Sequence, residues 1–222
     1  MGIIIALSIL CCWILNLFFC LNYIEINISN TVLYTSIIIQ AFLHTGLFIT
    51  AHDAMHNTVS SNKTINLIIG WATSILYSGF LFNKLKHNHF QHHRFPSTQD
   101  DPDYFKNNNG VQWFFHFMWK YTTIWQLIIV ASLFNIMLIW YSEVQLILFY
   151  VVPAFISSIQ LFIFGIYFPH KRPHTPEMEP YKARSQRKND LIAFLSCYFF
   201  GYHYEHHKYP FIPWWKLALK KN

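Results

Sequence analysis

The chain has 222 residues, of which 54% are hydrophobic and only 12% charged. A soluble domain carries about 25% charged residues, so this chain lacks the charge to cover its own surface, and lipid is the expected solvent for much of it. Its length suits one domain over residues 1–222. The net charge of +6 comes with no basic stripe or nucleic-acid motif, so a nucleic-acid partner is excluded and anionic headgroups or an acidic protein are the natural counterparts.

A bilayer-spanning helix needs about 20 mainly apolar residues. Residues 3–24 and 32–51 qualify, as do 124–141 and 144–168, the last with Pro153 inside it. The first run lacks the basic leader and small-residue cleavage site of a signal peptide. Residues 65–82 are borderline, with Gly70 and Gly79 among them, and 191–201 are too few to cross. All 16 lysines and arginines fall within 63–120, 171–188 or the tail from 208, and the links 22–31 and 142–143 have none. The positive-inside rule makes the basic segments cytoplasmic and the two links external. The expected fold is therefore an all-α integral membrane protein of two transmembrane helical hairpins, with both termini in the cytoplasm. If 65–82 crossed fully, Lys63 and Lys84 would lie on opposite sides. That stretch, and 191–201, are expected to be re-entrant or interfacial helices. Phe211-Ile-Pro-Trp-Trp-Lys216 reads as an interfacial anchor. Cys11, Cys12, Cys20 and Cys197 have no metal spacing and read as small buried hydrophobes.

Thirteen histidines stand out in so short a chain. His52-Asp-Ala-Met-His56 follows the second apolar run. His89-Phe-Gln-His92-His93 and His203-Tyr-Glu-His206-His207 share the pattern H-x-x-H-H. Histidines four apart share a helix face, and the middle one adds an adjacent vector. All three boxes fall on the side that the charges mark as cytoplasmic. Neutral imidazole suits iron, zinc, copper and nickel. Eight such ligands exceed the four of a zinc site, so the count suits two metals, and oxygen chemistry at non-haem iron is the natural use. His170, after the fourth apolar run, is the candidate ninth ligand. Asp53 and Glu205, inside the boxes, are the candidate catalytic carboxylates, placed to accept the distal N–H of a ligand. His87 is out of phase with its box. His44 reads as a polar residue bonded inside the bundle, and His116 and His174 read as interfacial or loop residues. Phe42, Leu43, Thr45, Leu47 and Phe48, with Phe162, Phe164 and Tyr167, are candidates for the wall of an apolar substrate tunnel.

These boxes resemble those of the membrane fatty acid desaturase and hydroxylase superfamily. The selective features are Asp100-Asp-Pro-Asp-Tyr104, the run from Gln160 to Phe-Pro-His170, Ala183-Arg-Ser185 and Pro213-Trp-Trp-Lys216. From Phe42 onward they are similar to the bacterial-type β-carotene ketolases. The resemblance implies a single desaturase-like domain and a di-iron centre on His52, His56, His89, His92, His93, His203, His206 and His207, with His170 added. It also implies molecular oxygen as co-substrate, a ferredoxin-type electron donor and a carotenoid with a β-ionone ring dissolved in membrane lipid. The implied reaction is successive hydroxylation at ring carbon 4 to a ketone, giving echinenone and canthaxanthin. A carotenoid 3-hydroxylase or fatty acyl desaturase of the same superfamily is the nearest alternative. A membrane metal transporter or sensor is the alternative from another class, although a transporter places its ligands near the bilayer midplane.

Overall fold

The computed structural model describes residues 1–186 and 189–220, and is helical with a single isolated β-bridge between Ser185 and Tyr202. Arg187, Lys188 and Lys221, which close two of the basic segments, lie outside the described residues. Among the described residues three helices are long and apolar enough to cross a bilayer: α1 (Gly2–Tyr23), α2 (Thr31–Met55) and α7 (Glu143–His170). Two bent pairs lie between α2 and α7 in the chain. Helix α3 (Lys63–Ser78) turns by 95° into α4 (Phe82–Arg94), and α5 (Gly110–Tyr121) turns by 88° into α6 (Ile124–Met137). Two short helices follow, α8 (Asp190–Cys197) and α9 (His203–Lys208).

Local chemistry sets these boundaries. The side chains of Asn30, Asn62, Thr123 and Asn189 each accept a backbone N–H at a helix start, satisfying donors that the helix leaves free. Ser142 and Gln145 form a reciprocal capping box that opens α7. Gly79 ends α3 in the left-handed region at φ 69°. A Cβ there would stand 2.9 Å from the backbone oxygen of Gln126, so only glycine lets the two bends touch. Helix α7 contains two π-helical stretches, Ile147–Val151 and Phe162–Tyr167, the second leading directly into Pro169 and His170.

Helix α2 is the centre of the bundle, with α1, α3 and α7 packed on it. Trp13, Leu33, Ile37, Leu47, Ile49, Tyr77, Leu146 and Phe149 form the main core. Polar groups inside are paired across helices. Asn16 donates to Gln40 at 2.7 Å, and Thr45 donates to Ser157 or Gln160 at 2.8 and 2.6 Å. His44 lies between Trp13 Nε1 at 3.0 Å and the Tyr77 carbonyl at 2.6 Å, the bundle-bonded position its sequence context suggests. Ile4, Leu15, Phe18, Ile38, Ile39 and Trp125 face outward, as lipid-facing side chains would.

The ends of the helices sort into two sets. Asn22 bonds Tyr141 at 3.2 Å and Gln145 bonds the Leu21 carbonyl at 2.9 Å, so the links at 22–31 and 142–143 meet. At the other end Gly2 abuts Val59, and the Trp214 N–H reaches Asp53 Oδ2 at 3.3 Å, so both ends of the described chain lie beside the first histidine box.

Some expectations need correction. Residues 124–141 were expected to form a full span, but the helix has 14 residues, because Thr123 caps its start and residues 138–140 form a turn. Cys11 and Cys12 are exposed on the outer face of α1, whereas Cys20 and Cys197 are buried. Trp214 is buried against Phe194 and Tyr198, and in its segment Phe211 and Lys216 are exposed.

Candidate metal centre

The histidine boxes reach the site from four elements. His52 lies in the last turn of α2 and His56 caps it. His89, His92 and His93 lie on α4, His170 ends α7, and His203, His206 and His207 lie on α9. The structure brings these nine together in two adjacent groups: His52, His56, His89, His93 and His206, and then His92, His170, His203 and His207. Within each group one ligating atom from every residue lies within 4.8 Å of the others. The rings of His93 and His207 stack at 4.2 Å, joining one group to the other.

The facing atoms are nitrogens of one kind. Nε2 of His206 stands 3.1 Å from Nε2 of His52 and 3.0 Å from that of His93. Nε2 of His56 and His89 are 2.7 Å apart. In the second group Nε2 of His207 is 3.1 Å from that of His92 and 3.2 Å from that of His203. A single proton on His206 cannot serve both of its neighbours, and Nε2 of His170 is buried with no partner at all. A cation resolves this. Nitrogens about 2.1 Å from a shared ion stand roughly 3 Å apart when set at right angles, which is the spacing found. The donor set therefore fits two imidazole-bound metal ions.

Electrostatics and outer contacts agree with that fit. For His89, His203, His206 and His207, burial first and neighbouring imidazoles second hold the pKa well below 6.5, so the neutral, ligating form prevails. His92 differs. Burial disfavours its charge, but the carboxylates of Asp101 and Asp103 outweigh burial and raise it to about 9. Both oxygens of Asp101 are 3.0 Å from His92 Nδ1, and an Asp103 oxygen is 3.5 Å away. The backbone N–H groups of Ser97 and Asp103 hold Asp101 in place. His170 Nδ1 donates to the Lys182 carbonyl at 3.0 Å. In both residues the Nδ1 proton is anchored and Nε2 is directed at the cluster.

The sequence profile of the fatty acid desaturase family matches residues 29–132 and 118–221. A β-carotene ketolase of Paracoccus sp. (strain PC1) is 35% identical over 97% of this chain and 90% of its own. The chain belongs to the fatty acid desaturase family. The β-carotene 4-ketolase 3 of Haematococcus lacustris is 38% identical over 81% of this chain and 59% of its own, and the zeaxanthin 4-ketolase of Chlamydomonas reinhardtii is 36% identical over 79% and 41%. The chain thus spans less than two thirds of the length of these two relatives. No solved structure matches it.

In this desaturase-family chain the two candidate carboxylates lie beside the histidine boxes and are engaged by other groups. Asp53 is buried beside the Trp214 N–H, with its nearer oxygen 3.8 Å from His52 Nδ1, and Glu205 is paired with the Ser185 hydroxyl. His87 and His116 join neither group, and His174 bonds the His170 carbonyl at 2.9 Å. The carboxylates that stand nearest a box nitrogen are Asp101 and Asp103, beside His92. Their sequence signal was the Asp100-Asp-Pro-Asp loop just after the second box. An apolar cavity, with about 80 Å³ open to the centre of a water molecule, abuts His52 and His89 of one group and His92 and His203 of the other. Phe48, Phe117, Leu161 and Phe200 line it. Of the eight wall candidates only Phe48 does so. Phe42 instead stacks on Tyr198 at 4.4 Å, Leu47 is in the core, and Phe162 packs on Trp113 and Phe114.

Proposed function

We propose that this chain is a membrane di-iron oxygenase that converts the β-ionone ring of β-carotene to its 4-keto form, giving echinenone and canthaxanthin. The observation that carries the reading is the cavity, an apolar space whose wall includes histidines from both groups. The β-carotene ketolase names of its relatives supply the substrate class.

His52, His56, His89, His93 and His206 would hold one iron, and His92, His170, His203 and His207 the other. Such a pair supplies reductive activation of dioxygen, with electrons from a ferredoxin-type donor. The chain's own part is geometric. The aromatic wall admits the ring and keeps water out, so that one C–H bond is presented at contact range. Asp101 fixes the tautomer of His92, and the Lys182 carbonyl fixes that of His170. Asp53 and Glu205 act at longer range, Asp53 by tying the C-terminal segment to α2 and Glu205 by tying α9 to Ser185. Each hydroxylation consumes one dioxygen, two electrons and two protons and releases one water. The second gives a geminal diol that loses water to the ketone.

The whole chain acts as one domain, with the histidines and both ends facing the cytoplasm and membrane lipid delivering the carotenoid. The basic segments, 63–120 and 171–188 among them, support that orientation. Expression in a host that accumulates β-carotene tests the reading. Keto pigments and two irons per chain are expected. Zeaxanthin, or altered acyl chains without keto pigment, would reassign the chain to the hydroxylase or desaturase chemistry of its superfamily.

A further inference from the structure

Gln126 stands out on α6. It is the only residue of that helix to be buried, while Ile124, Trp125, Leu127 and Ile128 face outward. The sequence Thr123-Ile-Trp-Gln126 has the spacing of a capping box, in which the glutamine side chain turns back to the cap's N–H. The box at Ser142 and Gln145 is closed in both directions. At α6 only half of it is present: Thr123 Oγ1 accepts from the Gln126 N–H at 3.2 Å. The glutamine side chain instead lines the cavity, and its carbonyl oxygen is buried without a partner.

Three other polar side chains of that wall are already engaged. Tyr121 donates to Asp103 at 2.6 Å, Thr122 to the Met118 carbonyl at 2.7 Å, and Tyr77 meets Ser158 at 3.3 Å. An unpaired buried carbonyl is expensive to keep, and a hydrocarbon ring offers it nothing. A ring bearing a hydroxyl offers a donor. The close contact of Gly79 with the Gln126 backbone holds the root of this side chain at the cavity.

We infer that Gln126 is a specificity-determining residue, whose amide hydrogen-bonds a hydroxyl already carried by the carotenoid ring, so that hydroxylated rings are preferred to unsubstituted ones. This rests on the carotenoid reading above. The test supplies zeaxanthin and β-carotene together to the full-length protein in lipid nanodiscs, with iron and a reductant, and measures the ratio of their keto products. The wild-type chain is expected to favour zeaxanthin, and Gln126→Leu to lower that preference by about fivefold, the worth of one neutral hydrogen bond. The binding ratio of the two pigments, read anaerobically by quenching of tryptophan fluorescence, should fall with it. Because each ratio is internal to one sample, a loss of folded protein does not mimic the effect. Gln126→Asn, which withdraws the amide by one methylene, serves as second variant and should also lower the preference. An unchanged ratio in the variants, or a wild-type preference for β-carotene, overturns this inference and leaves the oxygenase reading standing. Absence of any keto product from either pigment overturns both.

Discussion

His92 depends on a side chain that is not a histidine. The two oxygens of Asp101 grip its Nδ1, and two backbone N–H groups grip Asp101 in turn. Partners of this kind set the tautomer and orientation of a ligand, and their loss typically costs about 10–100-fold in metal affinity or activity. Asp101→Asn should therefore weaken iron retention in that range, measured as metal content after competition with a chelator. Asp100→Asn, exposed next door, should leave it unchanged. The eight box histidines were singled out by spacing, because H-x-x-H-H on a helix aims three rings from one short segment, whereas His170 was singled out by its place after the fourth apolar run. Their division between the two groups was not readable. His92 and His93 are neighbours, yet they join different groups, and which box faces which depends on how α2, α4 and α9 are placed in space.

At the scale of the helix, the two bends do the positioning. The turn from α3 to α4 and the turn from α5 to α6 meet where Gly79 lies against Gln126, and the cavity reaches both through Phe80 and Tyr121. Gly79→Ala would place a Cβ in the left-handed region and against a backbone oxygen. Strain of this type costs roughly 1–3 kcal/mol, so a melting midpoint several degrees lower is expected in detergent, together with loss of keto product. Gly110→Ala, where the nearest contact would be a flexible tyrosine ring at 3.3 Å, should be far milder. The sequence marked Gly79 as a weak point in an apolar run without saying why it was there. Hydropathy also extended α6 past Met137, because an apolar turn and an apolar helix share one composition. The tunnel candidates failed for a related reason. Proximity in sequence to a box does not say which helix face looks inward, and α2 turns Phe42 and Leu47 toward the core.

For the molecule as a whole, charge was the most informative pattern. The distribution of lysine and arginine paired the apolar runs into hairpins, and in the structure the two links that lack lysine and arginine do meet while both ends of the described residues lie by the histidines. Which side of the membrane holds that end can be tested directly. In intact cells an impermeant thiol reagent should modify Asn27→Cys and spare Asn107→Cys. The reverse pattern would put the histidines outside.

Helices α4 and α9 each send rings to both groups, and α9 is only six residues long and close to the end of the chain. Neither proposed ion can complete its shell until this last helix docks, since His206 belongs to one and His203 and His207 to the other. Loading should therefore be cooperative, with the first ion holding α4 and α9 in register for the second. A chain that stops short of residue 203 would lose both irons at once, because the histidines of α9 belong to both groups and one short segment clasps the two ions together.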